Sequence, residues 1–181
     1  MKTRYALTLV SEYTEEPVYI IGPGMADIFL KINGIAGESQ DAVHTGHIEV
    51  SSYRWRMAQQ SSMMSGSGGG AGKATINDLH FVHQIDRASP NLMRYCLTGR
   101  HIPEVILTVR KSGGVPLDFL KITMGDVVIT CVEPIVCDSS YHEHVSLSFA
   151  RVEQEYTVQS QLGASAGMVT ASFDIRKNVE R

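Results

Sequence analysis

Apolar side chains at every second position limit this chain's folding options more than any other feature. Ile28, Leu30 and Ile32 share one parity, as do Val105, Leu107 and Val109, then Val145, Leu147 and Phe149, and finally Val169, Ala171, Phe173 and Ile175. Successive strand side chains point to opposite faces, so this period buries one face and wets the other. Two segments change parity midway. In His47–Ala58, Ile48 and Val50 oppose Tyr53, Trp55 and Met57, which predicts a bulge at Ser51-Ser52. Val152, Tyr156 and Val158 fall out of step with Val145 to Phe149, which predicts a second bulge near Ala150-Arg151. Leu117 to Val132 reads as two strands turning near Gly125-Asp126.

One stretch breaks the strand pattern. Ser89-Pro90 followed by Gly99 frames a helix, with Ser89 as N-cap, Pro90 at the first helical position and Gly99 as the left-handed residue beyond its end. Leu92 with Cys96, and Met93 with Leu97, are spaced to form a buried stripe. Such a helix is only about two and a half turns long and needs a sheet behind it. Many strands with turn signals and one short helix predict a mainly β fold, an antiparallel β-barrel.

At 181 residues and 43% apolar composition, the chain suits one domain with a sizeable core. A formal net charge of −3 with scattered basic residues carries no nucleic-acid or membrane footprint. Cys96, Cys131 and Cys137 are an odd number without a CxxC pair, which argues against a disulfide framework and for folding in a reducing cytoplasm. The basic start Met1-Lys2-Thr3-Arg4 resembles a secretory signal, but Ser11-Glu12 cuts its apolar run short, and no segment is long enough to span a membrane.

The candidate chemistry is thin. The Ser/Gly-rich loop ends in Gly72-Lys73, yet a phosphate loop needs glycine at Ser67 and Ser or Thr at Ala74. A dinucleotide fingerprint fits only loosely from Gly66 to Ala71 and lacks its helix. His80 and His83 would point to opposite strand faces. His142 and His144 share a face without a third ligand, so no metal site is expected. Glu153 and Glu155 read as a solvated face, and Cys96 as a structural thiol. No catalytic residue and no cofactor is assigned. In Tyr53-Arg54-Trp55-Arg56, alternation sets the aromatics on one face and Arg54 and Arg56 on the other. A loop as long and as poor in packing groups as Gln59 to Gly72 is usually either functional or disordered.

Several motifs together resemble the Hcp family, the haemolysin-coregulated proteins of bacterial type VI secretion. They are Lys31-Ile32-Asn33-Gly34-Ile35-Ala36-Gly37-Glu38-Ser39, the Ser/Gly loop with Ile85-Asp86-Arg87-Ala88-Ser89-Pro90-Asn91-Leu92-Met93, Thr98-Gly99-Arg100-His101, Arg110-Lys111-Ser112-Gly113-Gly114, Leu120-Lys121-Ile122-Thr123 and Val145-Ser146-Leu147-Ser148-Phe149-Ala150. The resemblance covers nearly all of 25–181 and leaves 1–24 as an N-terminal extension of unknown origin. It implies a barrel protomer of a hexameric ring. Such rings stack into the inner tube within a contractile sheath, carry small effectors and are released from the cell without a signal peptide. Its partners would be other copies of itself, sheath and spike proteins and small effectors, with no nucleic acid and no membrane insertion.

Carried onto this chain, the resemblance makes Gln59, Ser65, Gly66, Gly68, Gly70, Gly72 and Lys73 part of an arm contacting a neighbouring subunit. It also makes Arg54 and Arg56 candidates for a lumen face that meets cargo. Arg54 sits where the family usually has a small residue, and the segment Pro134 to Glu143 replaces a glycine-richer loop. The alternative is a monomeric or dimeric barrel that binds a small ligand.

Overall fold

The computed structural model describes residues 8–9, 18–19, 26–59, 74–111, 116–137, 140–159 and 165–180. The strands are β1 (Thr8–Leu9), β2 (Val18–Tyr19), β3 (Ala26–Ile32), β4 (Ile48–Arg54), β5 (Met57–Ala58), β6 (Thr75–Ile76) and β7 (Leu79–Gln84). Helix α1 (Ser89–Thr98) follows, then β8 (Ile102–Lys111), β9 (Leu117–Cys137), β10 (Ser140–Gln159), β11 (Ser165–Asp174) and β12 (Val179–Glu180). β1 pairs with β2, and β5 with β6, as separate two-stranded pieces.

The remaining strands run antiparallel in the order β12-β11-β10-β7-β4-β3-β8-β9, and β9 pairs back onto β10. That last pairing closes six strands into a barrel. β10 reaches beyond it: His142–Leu147 pair with β7, whereas Arg151–Gln159 pair with β11. Inward positions such as Leu30, Phe81, Leu107, Ile122 and Leu147 fill the barrel. They are the alternate residues of each strand, as the periodicity requires.

The bulge in β4 lies where parity predicts it: Val50 pairs with His83 and Ser52 with Val82, leaving Ser51 extra. Two other expectations need correcting. The turn signal Gly125-Asp126 does not reverse the chain, because β9 runs straight through it. Gly125 pairs with Arg151 and Val127 with Phe149, so the β10 ladder holds the chain extended on both sides. The signal survives as a kink, with Asp126 alone at φ 55. β10 is one long strand, but the register shift lies between Ser146 and Leu147, where Thr130 of β9 is the extra residue. Its parity change, with Phe149 and Ala150 both buried, falls opposite the Asp126 kink and needs no inserted residue.

The helix start also differs from expectation. Ser89 does not cap the helix: Ala88 holds the N-cap position without a side-chain bond, and Asp86 closes the turn before it, its Oδ1 accepting Ala88 N–H at 2.8 Å while its N–H donates to Ser89 Oγ at 3.2 Å. This reciprocal pair has the logic of a capping box, with serine in the third position. At the other end Gly99 has φ 60, and Arg100 N–H reaches Tyr95 O. The buried face is Ala88, Leu92 and Tyr95, while Met93 is 53% and Leu97 79% exposed. The tyrosine ring turns the helix, since its hydroxyl packs under Gly34, 3.1 Å from where a Cβ would sit.

Leu92→Ala should therefore cost about 2–5 kcal/mol as a core cavity, whereas Met93→Ala should stay within about 0.5 kcal/mol. Urea midpoints of the two variants check this; equal losses would place the wrong face against the barrel.

Candidate assembly surface and the polar clusters behind it

The end of β4 presents the two arginines singled out in the sequence. Tyr53 and Trp55 pack against the barrel core, and Trp55 Nε1–H donates to Asn77 O at 3.1 Å while its ring meets Phe149 edge-on at 5.6 Å. On the opposite face Arg54, the last residue of β4, is half-buried and directly across from His80; Arg56 lies beyond the strand and is exposed. Gln59 directly follows the β5–β6 stem, in which Met57–Ala58 pair with Thr75–Ile76. Ser65, Gly66, Gly68, Gly70, Gly72 and Lys73 lie outside the described residues.

Apolar surface collects nearby. Tyr156, Val158, Met168 and Val169 are exposed on β10 and β11. β11 pairs with β12 only at Phe173 and Asp174, so among the described residues its outer edge from Met168 to Ala171 carries no ladder. A groove of about 370 Å³ runs between Trp55, Met57, Val152, Ala171 and Phe173. Exposed apolar patches and uncharged strand edges of this kind mark contact surfaces.

The histidines fall as strand geometry dictates. His83 is fully buried, while His80 faces outward with Nδ1 2.8 Å from Ser146 Oγ. Partial burial pushes the His80 and His144 rings below their ordinary range. Glu155 pairs with Lys121 at 2.6 Å on its strand face. No group of three metal-ligating side chains gathers among the described residues.

Two polar clusters escape the sequence reading. In the first, His83 Nε2 lies 2.8 Å from Glu143 Oε1, with Glu143 only 2% exposed. Burial pushes the Glu143 carboxyl up, but hydrogen bonds from His83 and Ser89 outweigh it and hold it below the usual range. The Ser89 hydroxyl bonds to this carboxylate rather than to the imidazole, so the trio is no nucleophile–base relay. It locks the start of α1 onto β7 and β10.

In the second cluster, Arg110, 7% exposed, donates from Nε to Asp118 Oδ1 and from Nη1 to Asp41 Oδ2, each at 2.7 Å. Asp41 Oδ1 accepts the N–H groups of Val43 and His44, and these bonds lead the causes that hold its carboxyl low. His44 completes the set: Nε2 is 3.1 Å from Asp118 Oδ2, and the ring stacks on Phe29 at 4.4 Å. The loop before β4 is thus pinned over the outer face of β3, β8 and β9. The signal available in sequence was Asp41 two residues before Val43, the Asx-turn spacing.

The family described as type VI secretion system effector, Hcp, matches residues 29–156. The chain is 40% identical over 158 residues to protein hcp1 of Pseudomonas aeruginosa, covering 85% of this chain and 98% of that protein. Among solved structures, Hcp1 of Salmonella typhimurium superposes with a TM-score of 0.74 at 45% identity, covering 87% of this chain and 100% of its own. A type VI secretion system effector of Yersinia pestis superposes with a TM-score of 0.69 at 37% identity, covering 82% of this chain and 99% of its own.

Removing one partner of the buried pair tests its role. Glu143→Ala should cost about 3 kcal/mol by leaving His83 buried without its carboxylate, and Glu143→Gln about 1 kcal/mol. Because the folded carboxyl lies below its ordinary value of 4.5, its contribution is complete above that pH and fades as pH falls below it. Denaturation curves across that range should lose this component in Glu143→Gln.

Proposed function

This chain belongs to the Hcp family of type VI secretion system effectors, and on that premise we propose that it is a structural subunit of the secretion tube. Six copies close into a ring, and rings stack within the sheath. The observation that carries this reading is the unlikeness of the protomer's contact surfaces. Among the described residues, the extension of β10 and β11, with its open edge and apolar face, has no counterpart on the β3–β4 side of the barrel. Surfaces that differ on two sides of a protomer make heterologous contacts, which close into rings or run on as filaments.

The arm from Gln59 through Ser65, Gly66, Gly68, Gly70, Gly72 and Lys73 reaches a neighbouring copy in this reading. Arg54, opposite the packed face of β4, and Arg56, just beyond that strand, line the lumen and bias it toward acidic small effectors. The subunit folds in the cytoplasm and leaves through the machine it builds, with sheath and spike proteins as further partners. Among the described residues no helix is long and apolar enough to cross a membrane. The small-ligand alternative is not supported by the barrel interior, which Leu30, Phe81, Leu107 and Leu147 fill.

Light scattering on the purified protein should give six times the 19.9 kDa chain mass. A monomer, unchanged when the chain is started at Met25, would overturn the ring. In Arg54→Ser the set of co-released effectors, read by mass spectrometry, should shift; an unchanged set would remove Arg54 from the cargo surface.

A further inference from the structure

The loop clamped over β3, β8 and β9 ends in two histidines in unusual contact. His44 Nδ1 and His47 Nδ1 are 3.2 Å apart, with ring centroids at 5.1 Å. Nδ1 to Nδ1 is a hydrogen bond only if one proton lies between them. The carboxylate of Asp118 accepts from His44 Nε2, which leaves Nδ1 of a neutral His44 as acceptor and makes His47 Nδ1–H the donor. Protonating either ring once preserves the bond, with a tautomer change where needed. Protonating both puts N–H against N–H and the bond is lost.

We propose that the His44–His47 contact is a one-proton clamp, holding residues 37–47 closed over Phe29, Thr108 and Arg110 near neutral pH and releasing them in acid. The Arg110–Asp41 and His44–Asp118 contacts anchor the middle of the loop, and the His44–His47 contact ties that anchor to its end. Its backbone is tied by Gly37 N–H to Gly46 O and Gly46 N–H to Ser39 O, each at 2.8 Å, and by Ser39 N–H to His47 O at 3.0 Å. The last of these involves His47 itself, and the other two its chain neighbour Gly46.

The surroundings set the direction. His47 faces His44 and Asp41 of its own loop, Lys31 of β3, and a cavity of about 260 Å³ whose walls also carry Asp118, Lys121 and Glu155. Lys121 and Glu155 neutralise one another at 2.6 Å, and Asp118 is committed to Arg110 and His44. What remains opposes a second proton: burial first, then His44, then Lys31 push His47 below its ordinary value of 6.5, against a smaller pull from Asp41. A histidine lowered in the closed state stabilises closure fully above 6.5. That contribution is lost as pH falls below it, because the open loop takes the proton first.

Hydrogen–deuterium exchange on the full chain reads this directly, with loop amides compared to β8 amides and corrected for intrinsic rates. Between about pH 7.5 and about pH 5, protection at His44, Gly46 and His47 should fall at least about tenfold while β8 holds. In His47→Gln the side chain still donates to His44 but cannot take a proton, so loop protection should become independent of pH. Lys31→Met removes a cation that helps to lower His47 in the closed loop, so it should weaken the acid opening and move it to lower pH, which keeps the test alive if the glutamine variant does not fold. Unchanged wild-type protection in acid, or an opening in His47→Gln like that of the wild type, overturns the clamp. A Lys31→Met midpoint that does not move does so equally.

Discussion

The pairing of β9 with β10 is the constraint on which the rest of the molecule depends. Both strands run far past the usual length, and their ladder extends from Ser140 opposite Cys137 to Tyr156 opposite Leu120. Near the hairpin end this pairing closes the barrel, since β7 sits on the other edge of β10. Farther along, the same ladder carries β10 out of the barrel and offers β11 a place to pair. A shorter hairpin would make a barrel without an extension. The Asp126 kink and the Thr130 bulge let one straight hairpin serve both, by changing direction and parity where the barrel ends.

Around this frame the polar clusters act as locks. Leu92 and Tyr95 press α1 against the core, but apolar contact is tolerant of rotation. The His83–Glu143–Ser89 set and the Asp86 turn are directional, and they fix where the helix begins. Arg110 does the same for the loop before β4, because its planar group must satisfy Asp41 and Asp118 at once.

Much of this was legible in the chain. Period-two runs located the strands, the parity break at Ser51 located a bulge, and Gly99 ended the helix as its left-handed conformation requires. The resemblance carried by the Lys31–Ser39 and Ile85–Met93 motifs agrees with the family the chain belongs to. What escaped has a common cause. Gly125-Asp126 is turn chemistry, and only the partner strand decides whether it reverses or kinks. Ser89 suits a cap, yet its hydroxyl bonds to a carboxylate far away at Glu143. Met93 and Leu97 fit a helical stripe, yet the larger Tyr95 sets the rotation. Each depends on a residue distant in sequence, which local pattern does not carry. Arg54 sits opposite Tyr53 on β4, as alternation requires, whereas Arg56 lies beyond the end of the strand, where alternation no longer fixes its face.

The central claim is that this barrel builds a ring with its arginine face turned inward. Electron cryomicroscopy of the purified protein reads the symmetry and the orientation of each protomer together. The account predicts six-fold particles in which Arg54 and Arg56 of every copy point into the channel and β11 meets the next subunit. Single protomers, or rings with these arginines on the outer wall, would contradict it.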